Sequence, residues 1–101
     1  MKTSKKKISV AIIEDENSVR SSVKAYLKKQ PEIECGIVAD SVETFIEQLK
    51  HEPTPDIVLM DIKLPGLSGI SGISYLKDKI PAMEFIVFSS YSDWELSLIH
   101  I

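Results

Sequence analysis

The sequence predicts a doubly wound α/β fold, a parallel sheet with helices on both faces, and three observations lead there. Four short apolar runs, Ile8 to Ile13, Ile33 to Ala39, Ile57 to Met60 and Phe85 to Phe88, are rich in branched or aromatic residues, as strands buried on both faces are. The stretches after the first three runs carry apolar residues at helical spacing. Pro31, Pro53, Pro55 and Pro81 stand where those helical stretches must already have stopped. Parallel neighbours need crossover connections, and right-handed helical crossovers supply them.

Each element follows from its residues. After the first run, Asn17 offers a helix N-cap, and Val19, Val23, Tyr26 and Leu27 mark an apolar face before Pro31. After the second, Ser41 is the expected cap, with Val42, Phe45, Ile46 and Leu49 as the buried face. The third strand ends at Asp61, and the Leu64-Pro65-Gly66 turn leads to a helix with Ile70, Ile73, Leu76 and Ile80 inward. The fourth strand runs into a polar loop, Ser89 to Asp93, and then what reads as the first turn of a further helix.

At 101 residues the chain suits one domain with one core. Apolar residues make up 44% and charged residues 27%, and nothing approaches the roughly 20 continuous apolar residues of a membrane span. The basic lead, Met1 to Lys7, precedes an apolar run too short for a signal-peptide core, so a cytoplasmic location without membrane contact is expected. Net charge is −3, and the lysines gather at Lys5-Lys6-Lys7 and Lys28-Lys29 rather than along an aromatic-flanked face. Direct nucleic-acid binding by this segment is not expected. Cys35 is the lone cysteine and reads as a buried, inert thiol; neither His51 nor His100 reads as a metal ligand.

In open α/β sheets, ligands bind outside the carboxyl ends of the strands. Here the first strand ends in Glu14-Asp15, the third in Asp61 and the fourth in Ser89-Ser90, which brings three carboxylates and a hydroxyl to one edge. Carboxylates so close raise one another's pKa unless a cation lies between them, and Mg²⁺, which takes oxygen ligands and accompanies phosphates, suits the set. Each piece alone has a plainer reading. Glu14-Asp15 could serve only the helix dipole, and Asp61 could be a turn residue. Joint placement at three strand ends, with Pro65-Gly66 just beyond Asp61, favours a Mg²⁺ and phosphate site.

Three segments carry a resemblance: Val10 to Glu16, Pro55 to Asp61 continuing through Leu64-Pro65-Gly66-Leu67-Ser68-Gly69-Ile70, and Phe85 to Tyr91. In this order they resemble the signature segments of the receiver domain of two-component response regulators, over Ile8 to about Asp93. The resemblance implies a flavodoxin-like sheet of strand order 2-1-3-4, with the family's fifth strand and last helix missing. It implies that Asp61 is the phosphoacceptor and that Glu14, Asp15, Asp61 and the backbone carbonyl of Lys63 hold Mg²⁺. It further implies that Ser89 contacts the phosphoryl oxygens and that Pro65 and Gly66 shape the loop. A sensor histidine kinase is the implied partner and phosphoryl donor; a homodimer is left open. Phosphorylation would shift the population of two conformations, and no enzymatic activity is expected. The wording around Asp61 is most similar to regulators of the NarL type, so transcription control through a separate DNA-binding domain is expected of the parent protein.

Glu14 where the family has mostly Asp, and Ser89 where it has mostly Thr, keep the functional group. The family's phosphate-binding lysine and switch aromatic lie on a fifth strand that these residues do not include. The fourth strand is therefore expected as an exposed, uncharged edge inviting pairing. Apolar side chains left bare by the missing elements, at about 1.5 to 3 kcal/mol each, weigh against a total stability of roughly 5 to 15 kcal/mol, so marginal folding is expected. Leu96-Ser97-Leu98-Ile99-His100-Ile101 is what CTG TCT CTT ATA CAC ATC encodes, a transposon end used in some sequencing libraries. The division expected is thus a lead over 1–7, a truncated receiver over 8–95 and an adapter-derived tail over 96–101. The plainer reading makes the last six residues the start of a fourth helix that opens at Trp94 and Glu95.

Other classes fit less well. A flavin module of this fold needs a hydroxyl-rich loop after the first strand, where Glu14-Asp15-Glu16 stands. A phosphatase with an aspartyl nucleophile wants a second acid where Lys63 stands. The remaining alternative is a receiver-like interaction module that is not phosphorylated, or an inactive fragment.

Overall fold

In a computed structural model of the chain, the described residues are 7–61, 69–90 and 96–100, with the side chains at 69–72, 89–90 and 96–100 left aside. The elements are β1 (Ile8–Ile13), α1 (Asn17–Lys28), β2 (Ile33–Ala39), α2 (Val42–Leu49), β3 (Ile57–Asp61), α3 (Gly69–Lys79), β4 (Glu84–Ser90) and β5 (Leu96–His100). They build one sheet of order β2-β1-β3-β4-β5. Pairings β1 with β2, β1 with β3, and β3 with β4 are parallel, so the predicted order 2-1-3-4 is the observed one.

The sheet separates two apolar layers. On one face Ala11, Ile13, Ile37, Ala39, Val58, Met60, Phe85 and Val87 pack with Val42 and Phe45 of α2 and Ile73 and Leu76 of α3. On the other, Val10 and Ile12 pack with Leu27 of α1, flanked by half-buried Val23, Ile33, Cys35, Val38, Ile57 and Leu59. Such apolar burial is the main favourable term in the fold.

Local chemistry sets the helix ends. Ser41 is the α2 N-cap: its Oγ accepts from the Thr44 N–H at 3.1 Å. At α1 the cap is Glu16, not Asn17, and Glu16 makes no side-chain cap bond. Asn17 is instead the first helical residue, and its Oδ1 accepts from Arg20 Nη2. Tyr26, expected inward, is 65% exposed. Helical rotation puts Leu27 one turn from Val23 and over the sheet, and leaves Tyr26 beside that line. In α3, Ile73 and Leu76 are buried and Ile80 packs against them, while the Ile70 side chain lies outside the described residues.

β2 carries a bulge. Val10 pairs Cys35 and Ile12 pairs Val38, so β2 spends one extra residue between these pairs. The insertion inverts the alternation: Ile33 and Cys35 face α1, and beyond it Val38 faces α1 while Ile37 and Ala39 face α2. Cys35 is half-buried rather than buried, and that burial pushes its thiol pKa up, which keeps the thiolate scarce.

At the opposite edge, Leu96–His100 forms β5, antiparallel to β4, with Phe88 level with Leu98 and Val87 with Ile99. This corrects the reading of these residues as the start of a helix, and β4 is not an open edge. A short apolar segment lacks the length to hold a helix alone, and the unpaired polar backbone of β4 offers it a ladder. Trp94 and Glu95 lie outside the described residues. Among the described residues no helix is long and apolar enough to cross a membrane.

Candidate functional site

The parallel register brings the acids together. Ile13 of β1 is level with Met60 of β3, so the next residues, Glu14 and Asp61, emerge side by side at the carboxyl edge of the sheet. Asp15 follows in the turn to α1. One carboxylate oxygen from each of Glu14, Asp15 and Asp61 lies within 4.8 Å of the others. Asp15 is exposed, whereas Glu14 is only 1% and Asp61 7% exposed. A carboxylate that merely answers the helix dipole has no cause to be buried, and Glu14 is buried.

Glu14 is fixed at three of its polar atoms. Its N–H donates to the Ala39 carbonyl at 3.0 Å, its carbonyl accepts from Arg20 Nη1 at 2.8 Å, and Oε2 accepts from the Glu16 N–H at 2.9 Å. Oε1 is buried with no hydrogen-bond partner. Burial above all raises the Glu14 pKa from 4.5 to about 8, and the nearby Asp61 and Asp15 carboxyl groups push the same way. The Glu16 N–H pulls in the opposite direction. Either a proton shared with the adjacent acids or a cation satisfies Oε1. The donor set, oxygens only with one buried and orphaned, fits a hard divalent ion.

Other expected residues are reached in part. The backbone of Ser89 lies on β4, one residue beyond the level of Asp61, and its side chain is outside the described residues. Lys63, Pro65 and Gly66 also lie outside them. Two residues went unanticipated. Arg20 joins the Glu14 carbonyl to the Asn17 side chain; its spacing from Asn17 on one helix face was the available signal. Asp56 ties three strands at their starts, donating its N–H to the Ser9 carbonyl and accepting the Ser9 N–H on Oδ2, both at 2.9 Å, and accepting the Glu84 N–H on its carbonyl.

Comparison with known proteins shows the family and the fold. The sequence profile of the response regulator receiver domain matches residues 10–99. The transcriptional regulatory protein YhcZ of Bacillus subtilis (strain 168), itself described as uncharacterized, is 34% identical over 88 residues, which are 85% of this chain and 40% of YhcZ. The transcriptional regulatory protein DegU of Brevibacillus brevis is 32% identical over 86% of this chain and 36% of its own length. The chain thus spans about two fifths of the length of these two relatives. In fold it is similar to the receiver domain of the response regulator NarL from Mycobacterium tuberculosis, with TM-score 0.77, 20% identity and coverage of 88% of this chain and 71% of that one. With the profile spanning most of the chain, this protein belongs to the response regulator receiver domain family.

Proposed function

We propose that this chain is the phosphoacceptor of a two-component response regulator, taking a phosphoryl group from a sensor histidine kinase onto Asp61. The observation that carries the reading is the buried Glu14 Oε1, unpaired beside Asp61 and Asp15. An Asp61 carboxylate oxygen attacks phosphorus, the phosphorus–nitrogen bond of the donor phosphohistidine breaks, and an acyl phosphate forms. Such transfers depend mainly on positioning and on charge neutralisation. Glu14, Asp15, Asp61 and the Lys63 carbonyl would hold Mg²⁺, which when bound neutralises the carboxylates and the phosphoryl oxygens. Placement of Ser89 just past the level of Asp61 supports its hydroxyl as the group that meets the phosphoryl oxygens.

YhcZ and DegU are transcriptional regulatory proteins longer than this chain, which supports a parent protein that controls transcription through a DNA-binding part outside these residues. The test uses the full-length protein that carries this chain, incubated with acetyl phosphate and Mg²⁺ and weighed intact. One phosphoryl adduct is expected, absent with EDTA and absent in Asp61→Asn. An adduct that survives Asp61→Asn contradicts the reading; no adduct at all leaves the unphosphorylated interaction module.

A further inference from the structure

We propose that Arg20 is a positioning residue for the cation site, a clamp that holds Glu14 with Oε1 presented to the ion; the inference rests on the phosphoacceptor reading above. Glu14 leaves β1 at the point where the chain must turn into α1. Its N–H is held by β2 through Ala39 and its Oε2 by Glu16, and the Arg20 guanidinium takes its carbonyl at 2.8 Å. The same guanidinium reaches Asn17 Oδ1, so one planar fork ties the last residue of the strand exit to the first turn of α1.

The remaining oxygen, Oε1, is the one without a partner. Holding the other polar atoms of Glu14 directs that oxygen and removes the freedom by which the carboxylate could turn towards water. The Arg20 charge is spent on a carbonyl and an amide oxygen rather than on the carboxylate, so the clamp acts by geometry. Groups that orient a metal ligand without touching the metal commonly govern affinity.

Titration calorimetry with Mg²⁺ alone, on the full-length protein and its Arg20→Lys, Arg20→Gln and Asn17→Ala variants, tests this without any turnover. Lysine keeps the charge but its single ammonium cannot span both oxygens. Both Arg20 variants are expected to bind Mg²⁺ about tenfold more weakly, with Asn17→Ala losing less. Phosphorylation by acetyl phosphate should need correspondingly more Mg²⁺ and reach the same maximal rate. Wild-type affinity in Arg20→Lys would assign the effect to charge and overturn the clamp, as would unchanged affinity in all three variants. If the Arg20 variants melt below the assay temperature, Asn17→Ala decides, and unchanged affinity there overturns the proposal. A wild-type protein that binds no Mg²⁺ removes the underlying metal reading and the clamp together, an outcome distinct from variants that match a binding wild type.

Discussion

Glu14 and Asp61 stand side by side at the ends of β1 and β3, both buried, each one residue past the Ile13 and Met60 pair. Two carboxylates so placed cannot both be charged at ease. Burial, with the Asp61 charge behind it, lifts Glu14 to a pKa of about 8 from 4.5.

Stability of the metal-free protein should therefore fall as pH rises. The folded chain keeps the Glu14 proton up to about pH 8, while the unfolded chain loses it near 4.5. This contribution is full below 4.5 and is lost as pH climbs through about 8. Thermal melts in EDTA should show a declining midpoint across that window, and Glu14→Gln should flatten the decline. A midpoint that instead rises towards pH 8, with Glu14→Gln following the same curve, would contradict the assignment.

Mg²⁺ should reverse that loss. Binding requires the Glu14 carboxylate, so it should release protons below about pH 8 and become tighter as pH rises to that value. Calorimetry in buffers of differing ionisation heat reads the proton number directly. No buffer dependence at neutral pH would place the bound ion away from Glu14.

Phe45 lies at the centre of the α2 face with no exposed surface. Phe45→Ala should cost about 3 to 5 kcal/mol, against a total of roughly 5 to 15 kcal/mol for a domain. Urea unfolding should show the midpoint collapse; a shift worth less than about 1 kcal/mol would mean that α2 does not pack as described.

Ser41→Ala removes the α2 cap and should cost about 1 kcal/mol. Asp56→Ala removes the carboxylate bond to the Ser9 N–H and should cost a similar amount, about 1 kcal/mol. Ser41 follows the carboxyl end of β2 and Asp56 precedes the start of β3, at opposite edges of the parallel sheet, and they share no hydrogen bond, so urea midpoints for the double variant should show additive losses. A double variant no less stable than either single one would mean that these bonds do not act separately.

The first four strands were legible because strands buried on both faces are written as continuous apolar runs, and proline marks the ends of the connections; their order, 2-1-3-4, came from the resemblance to the receiver family. Convergence of Glu14, Asp15 and Asp61 was legible for a related reason: in a parallel sheet, residues just after each strand emerge at the same edge. The degree of Glu14 burial was not, since it depends on bonds to Ala39, Glu16 and Arg20 that come from other elements. The β2 bulge was hidden because Ile37, Val38 and Ala39 are apolar in either phase. Leu96–His100 could not be assigned from its own residues; a short apolar segment takes the structure its neighbour offers, here the edge of β4. Asn17 was misplaced as a cap because Arg20 competes for its side-chain oxygen.

Phosphorylation at Asp61 makes an acyl phosphate, and its position can be read by treating the full-length protein with acetyl phosphate and Mg²⁺, reducing with borohydride, and mapping peptides by mass. An acyl phosphate on aspartate is reduced to homoserine, so homoserine is expected at position 61 and at no other acid. Homoserine at Asp15 or Asp56 instead, or a phosphoryl group that resists borohydride on a serine such as Ser89, would contradict it.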